Sequence, residues 1–253
     1  MIGTGDWAVD FADAYPMCDV LGTGLSLIQP QYVRPNCRFV HPPTPPGEKN
    51  DHTFYGAIRF ELDDAEDEWD FRRGFDLIHT RASVLCWRNY EAFVNQAYQA
   101  LEPGGWLEMQ EFNHQPVFYG STSDTSVKRY YDIVVQGTGR RGIHVANFMC
   151  IKNLMVGRGF VNIEEKRFTW PFGRWAQGSH DGKLRNLVRR NFQLVVEALA
   201  LRPLSHVGYS LDQIQVFLAE VRQELRDDSV DGHADMYDAQ HRPLPLVRVF
   251  YLT

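Results

Sequence analysis

The stretch from residue 75 to residue 112 constrains the fold more than any other part of the sequence. Phe75-Asp-Leu-Ile-His79 is a compact apolar run of strand length. Tyr90 to Leu101 follows, with Phe93, Ala97, Tyr98 and Leu101 on one face at helical spacing. Pro103-Gly104-Gly105 is a turn signal, and Trp106-Leu-Glu-Met-Gln-Glu-Phe112 reads as a second strand. Strand, helix and strand in that order form a βαβ unit, whose strands run parallel and need helices over both faces of the sheet.

The same alternation continues on both sides of this unit. Upstream, the glycine turn Gly3-Thr4-Gly5 opens a helical pattern of Trp7, Ala8, Phe11, Ala12 and Tyr15, which Pro16 stops. Val20-Leu21-Gly22 is a brief strand, and Ile58 to Leu62 another. Downstream, helical patterns fall at 126–136 and 144–157, and Phe160 to Trp170 reads as a strand. Two helices follow at 181–201 and 211–226, the second opened by the capping box Ser210-Leu-Asp-Gln213. Leu246 to Leu252 makes a closing strand. The expectation is an α/β fold with a doubly wound, mostly parallel sheet in a single domain spanning residues 1–253. Residues 41–56, HPPTPPGEKNDHTFYG, hold four prolines and are expected to form an inserted, exposed loop. Residues 171–232 are expected to form a helical lid before the last strand.

Composition excludes several classes of function. Lysine and arginine total 26 against 32 aspartates and glutamates, a net charge of -6, so no basic excess marks a binder of nucleic-acid backbones. No apolar run reaches the roughly 18 residues of a membrane span. The N-terminus, MIGTGDWAVDFADAYP, lacks the basic start of a signal peptide. The cysteines at 18, 37, 86 and 150 fit no zinc spacing and read as reduced thiols, so no metal is expected. Neither an H-E-x-x-H nor a G-x-S-x-G pattern is present.

Ligands of parallel sheets gather at the carboxyl ends of the strands. Four motifs fall at such ends, in order. Gly3-Thr4-Gly5 precedes a helix whose first amides are free. Asp63-Asp64-Ala-Glu-Asp-Glu-Trp69 follows a strand. Phe75-Asp-Leu-Ile-His-Thr-Arg81 and Leu101-Glu-Pro-Gly-Gly-Trp-Leu-Glu-Met-Gln-Glu111 complete the series. Alone, the acidic run reads equally as a solvated loop. In this order, together with IGTGDWAVDFADAYP, GTGLSLIQPQYVRPNCRF, GFVNIEEKRFTWPFG and FLAEVRQELRD, the set resembles the class I S-adenosylmethionine-dependent methyltransferases. More narrowly, it resembles the fungal LaeA-like group, whose members regulate or tailor secondary metabolism.

The resemblance implies a seven-stranded sheet, S-adenosylmethionine as cofactor, and methyl transfer to a small molecule or an unidentified protein, with a regulatory protein complex as a further partner. It implies no nucleic-acid or membrane partner and a cytoplasmic or nuclear location. Gly3 and Gly5 would line the methionine moiety. Asp64 would bind the adenine amino group with Ala65 beside the ring and Asp63 supporting the turn. Gly24 stands where the group carries the carboxylate that holds the ribose. His79 and Arg81 would face the cofactor cleft from the end of the fourth strand.

The sequence departs from the group in four places. The first motif is shortened and lacks its preceding strand, so an N-terminally truncated sheet is expected. The ribose carboxylate is replaced by Gly24, residues 40–60 have no counterpart, and the tail after His233 diverges. No catalytic residue is identified: His79, His114 and His144 are the candidate bases, and a structural role is the stronger reading for each. Two other functions fit parts of the pattern. A non-catalytic relative that binds a partner fits the incomplete cofactor motifs. A nicotinamide-dependent dehydrogenase fits the first glycine turn, but it needs an acidic residue where Gly24 stands and leaves DDAEDEW without a role.

Overall fold

A computed structural model of the chain describes residues 5–24, 58–62, 64–71, 74–120, 124–226, 230–240 and 248–252. The proline-rich 41–56 segment, Gly3 and Asp63 lie outside these residues. The described elements are helix α1 (Asp6–Ala14), strands β1 (Asp19–Gly24), β2 (Ile58–Leu62) and β3 (Phe75–Arg81), α2 (Tyr90–Ala100), β4 (Leu101–Phe112) and β5 (Val117–Phe118). After these come α3 (Ser126–Gly139), a 3-10 turn (Val145–Cys150), α4 (Ile151–Arg158), β6 (Glu164–Pro171), α5 (Asp181–His206), α6 (Leu211–Arg226), β7 (Gly232–Gln240) and β8 (Arg248–Leu252).

The sheet runs β2-β1-β8-β3-β4-β7-β5, with β6 on β7. The five strands from β2 to β4 are parallel, and β5, β6 and β4 each pair antiparallel with β7. The α/β doubly wound class expected from the alternation holds. Leu77 of β3 packs with Ala8, Ala12 and Val20 beneath α1, while its neighbour Ile78 packs with Phe93, Val94 and Met155 beneath α2 and α4. Successive strand residues thus feed opposite helical layers.

Two expectations are corrected, and the closing strand takes an inner place. Among the described residues the sheet has eight strands, not seven, because Val117–Phe118 adds a two-residue bridge to the end of β7. The expected closing strand is described over Arg248–Leu252 as β8. It lies in the middle of the sheet, with Val249 paired to Val20 on one side and to Leu77 on the other. Pro103-Gly104-Gly105 does not separate two elements. It is a bulge inside β4, where Phe75 faces Leu101 but Leu77 already faces Trp106. Gly104 takes the left-handed φ of 84° that the bulge needs, and a Cβ on Gly105 would stand 2.8 Å from the Phe75 carbonyl oxygen.

Helix α2 starts at Asn89, whose side chain accepts from the Ala92 amide at 3.0 Å, and buries Tyr90, Phe93, Val94 and Ala97. Helices α3, α5 and α6 pack together beyond the carboxyl end of β4, around Tyr130, Val134, Val196, Leu204 and Leu218. The capping box at Ser210 is formed in both directions, Ser210 N donating to Gln213 Oε1 at 2.8 Å and Gln213 N to Ser210 Oγ at 3.3 Å.

Candidate functional site

Parallel pairing brings the carboxyl ends of β1, β2, β8 and β3 to one edge. Gly24 is level with Leu62, and Leu252 is level with both Thr23 and Thr80. Helix α1 begins at the same edge. Its N-cap, Gly5, has φ 84°, a left-handed conformation that favours glycine, and its carbonyl accepts from the Val9 amide at 3.0 Å. No side chain caps Gly5, and the positive end of the helix dipole lies at this edge.

Trp7 and His79 hold α1 in place. Their rings stack in parallel. His79 Nδ1 lies 2.7 Å from Glu108 Oε2 on the neighbouring strand, and Gln110 Nε2 donates to the other oxygen of that carboxylate at 3.1 Å. His79 is fully buried, and burial holds its pKa below the usual histidine value despite the opposing pull of Glu108. Burial favours the neutral ring, and the carboxylate beside it favours the tautomer whose Nδ1–H donates to Glu108. The structure places His79 against α1 and not in an open cleft. Arg81, two residues on, is exposed at the tip of β3.

The turn after β2 is an ordered element. Asp64 Oδ1 accepts from the Glu66 amide at 3.1 Å, and Trp69 Nε1 donates to the Ala65 carbonyl at 3.0 Å. Glu66 reaches across to the start of α2, accepting from Arg88 Nη1 at 2.9 Å and the Asn89 amide at 3.2 Å. The Trp69 amide donates to Gln96 Oε1 at 2.9 Å. The half-buried Ala65 packs against the α2 side of the core.

The turn after β3 hangs on one residue outside the candidate set, Glu111. Its carboxylate accepts from the Ser83 and Val84 amides at 2.9 and 2.8 Å and from the Thr80 hydroxyl at 3.2 Å, and it takes the Ser83 hydroxyl as well. Trp87 Nε1 in turn donates to Ser83 Oγ at 2.8 Å. Ala82 adopts a φ of 53° within this turn, and its N–H donates a hydrogen bond to the Gln110 carbonyl at 2.9 Å. Burial pushes the Glu111 carboxyl up to about 7 against these hydrogen bonds. Alternation along β4 puts Glu111 on the same face as the apolar Leu107 and Met109, so the signal for a buried carboxylate was present in the sequence.

The remaining histidines fall elsewhere. His114 is buried just past β4, edge-on to Phe112 at 5.3 Å, and burial pushes its pKa down to about 4. His144 is exposed at the head of the 3-10 turn.

The described residues fit a nucleoside cofactor at two points and miss it at a third. The start of α1, which has no side-chain cap, suits an anionic group. Asp64 beside Ala65 suits an amino-bearing ring. At the end of β1, however, Gly24 offers no group to bind vicinal hydroxyls.

Residues 2–165 match the family model of the methyltransferase domain, and the chain belongs to that family. It is 29% identical over 249 residues to the protein-methionine methyltransferase laeA of Emericella nidulans, covering 95% of this chain and 60% of that protein. It is 28% identical over 233 residues to methyltransferase pytC of Aspergillus terreus, covering 89% and 65%. The chain thus spans less than two thirds of the length of these two relatives. Among solved structures, a protein of an antibiotic biosynthesis pathway from Anabaena variabilis shares the fold, with a TM-score of 0.50, 12% identity, and coverage of 93% of this chain and 86% of that one.

Proposed function

We propose that the protein is an S-adenosylmethionine-dependent methyltransferase of fungal secondary metabolism, tailoring a small metabolite or regulating a biosynthetic cluster through a protein acceptor. The observation that carries this reading is the convergence at one sheet edge of the start of α1, Gly24, the Asp64–Ala65 turn and the tip of β3. The names of the two relatives support methyl transfer, and an Emericella nidulans relative named secondary metabolism regulator laeA supports the metabolic setting. When bound, the cofactor supplies a methyl group on a sulfonium. The chain's own residues then bind and orient it. Gly3, Gly5 and the α1 amides take the methionine end. Asp64 and Ala65 take the adenine, Asp63 supports their turn, and Arg81 lines the edge. Transfer needs little beyond alignment of acceptor and methyl group.

In this reading the residues between 171 and 232 form a lid over the acceptor side, and 41–56 is an insertion that the site does not need. The partners are a small-molecule or protein acceptor and a regulatory complex, in the cytoplasm or nucleus. No helix among the described residues is long and apolar enough to cross a membrane.

A second reading rests on Gly24: a methyltransferase-fold protein that has lost its ribose contact and acts by binding a regulatory partner. Isothermal titration with S-adenosylmethionine separates the two. Saturable micromolar binding is expected of the enzyme. Absence of binding overturns the enzymatic reading and leaves the binding partner.

A further inference from the structure

Helix α5 buries Val188, Val196, Ala200 and Leu204 against α3 and α6. Its opposite side carries Leu187, Leu194 and Leu201, each seven residues after the last, exposed by 65, 72 and 39%. A single exposed leucine needs no explanation. Three in line on one helix, spaced by seven, are a different matter. Asn191 and Ala198 lie between them, both exposed, and complete a spacing of four and three along the helix. That is a heptad seam, with leucine at every d position and asparagine and alanine at a. The seam is bounded at both ends. The preceding a residue, Leu184, already packs into the chain's own core, and Pro203 removes an amide just after Leu201.

We propose that this face of α5 is a self-association site, where a second copy of the chain packs its own α5 in parallel. Asn191 selects the occupant. An amide in an apolar seam leaves its donors and acceptor unpaired unless it meets an equivalent polar group, and in a parallel pair each a residue meets its own copy. The charges beside the seam agree. Glu197 is at a g position and the exposed Arg202 at the e position five residues on, the pair that approach one another between parallel strands. Glu197 is already steered along the helix surface by Arg222, which donates to Oε2 at 2.8 Å. The seam covers two heptads, about 21 Å of helix, so the dimer is a reversible one. The proposal does not rest on the methyltransferase reading.

Sedimentation velocity on the full chain, from low to high micromolar concentration, is the first test, with Leu194→Glu as the variant. Leu194 is largely exposed, so the substitution leaves the fold intact, and far-ultraviolet circular dichroism verifies this. The expected result is a monomer–dimer equilibrium that Leu194→Glu weakens by more than about tenfold. A chain that stays monomeric throughout, or a dimer that Leu194→Glu leaves unchanged, overturns the proposal. Mild oxidation of Leu187→Cys and Leu201→Cys variants, with the unsubstituted chain as control for its exposed Cys150, then reads the orientation. Disulfides within each variant are expected. Disulfides formed only when the two variants are mixed overturn the parallel arrangement.

Discussion

The indole of Trp7 lies flat on the imidazole of His79, ring centres 3.9 Å apart and planes inclined by 4°. The stack ties the helix that opens at the Gly5 turn to β3, and the His79–Glu108 bond carries the tie on to β4. Trp7→Ala should therefore cost about 2 kcal/mol, at the low side for a large aromatic because the ring is only half-buried. It should weaken S-adenosylmethionine binding by a larger factor than a comparable loss elsewhere in the core, and Trp7→Phe should restore most of both. Thermal denaturation and titration check this. Unchanged melting and affinity in Trp7→Ala would show that the stack anchors nothing.

Glu111 gives the fold a pH dependence of defined sign. Its folded-state pKa of about 7 lies above the ordinary value of 4.5, so the stability it contributes is full below 4.5 and is lost as pH rises through 7. At about 1.4 kcal/mol per unit, the loss is a few kcal/mol. Glu111→Gln keeps an acceptor for the Ser83 and Val84 amides and a donor for the two hydroxyls. It should flatten this part of the profile and be more stable than the parent chain at pH 8. Glu111→Ala should instead lose the turn after β3 at every pH. Urea unfolding from pH 4.5 to 8 distinguishes these outcomes, and parallel profiles for parent and Gln variant would refute the assignment.

Gly24 is buried at the end of β1, paired with Leu62, and is not among the glycines with positive φ. Aspartate there meets no backbone penalty. Gly24→Asp should tighten S-adenosylmethionine binding by about tenfold or more through a recovered charge-assisted hydrogen bond. It should also lower the melting temperature without cofactor, because the carboxylate is then buried without that partner. Equal affinities for the two proteins would mean that the ribose does not pass over β1.

Gly137 of α3 faces the backbone of Pro203 in α5, and a Cβ there would run into the Pro203 carbonyl. Gly137→Ala should push the two helices apart at a cost of about 1–3 kcal/mol. Gly157→Ala, in a helix with open space around it, should be neutral or slightly stabilising. Differential scanning calorimetry of the two variants side by side makes the comparison, and equal melting points would contradict the close approach.

The sequence made the βαβ unit, α2 and α6 legible because their apolar spacing is regular and their caps are local. The edge that gathers Gly5, Gly24, Asp64 and Arg81 was legible for the same reason: strand ends fix it. β7 was not, because GHADMYDAQ buries Asp235 and Asp238 where a strand pattern expects apolar residues. The answer to Asp235 is Arg167 on β6, which donates to it at 2.6 Å from far away in the chain. The bulge in β4 hid behind a sequence that reads as a turn. The Trp7–His79 stack left no trace in the spacing, since it joins two elements whose packing only the assembled sheet decides.

The position of β8 has a consequence for how the chain folds. Among the described residues, β1 with β2 and β3 with β4 are two parallel pairs whose strands are joined by hydrogen bonds only through residues 248–252. Each pair with its helices condenses from nearby sequence, but each then presents a bare inner edge until the far end of the described chain arrives. Closure of so distant a contact is slow, and an open parallel edge is a template for misassembly while it waits. Nascent chains that have not yet extended β8 are thus two half-sheets, and lesions in those five residues should appear as aggregation during synthesis before they appear as lost stability.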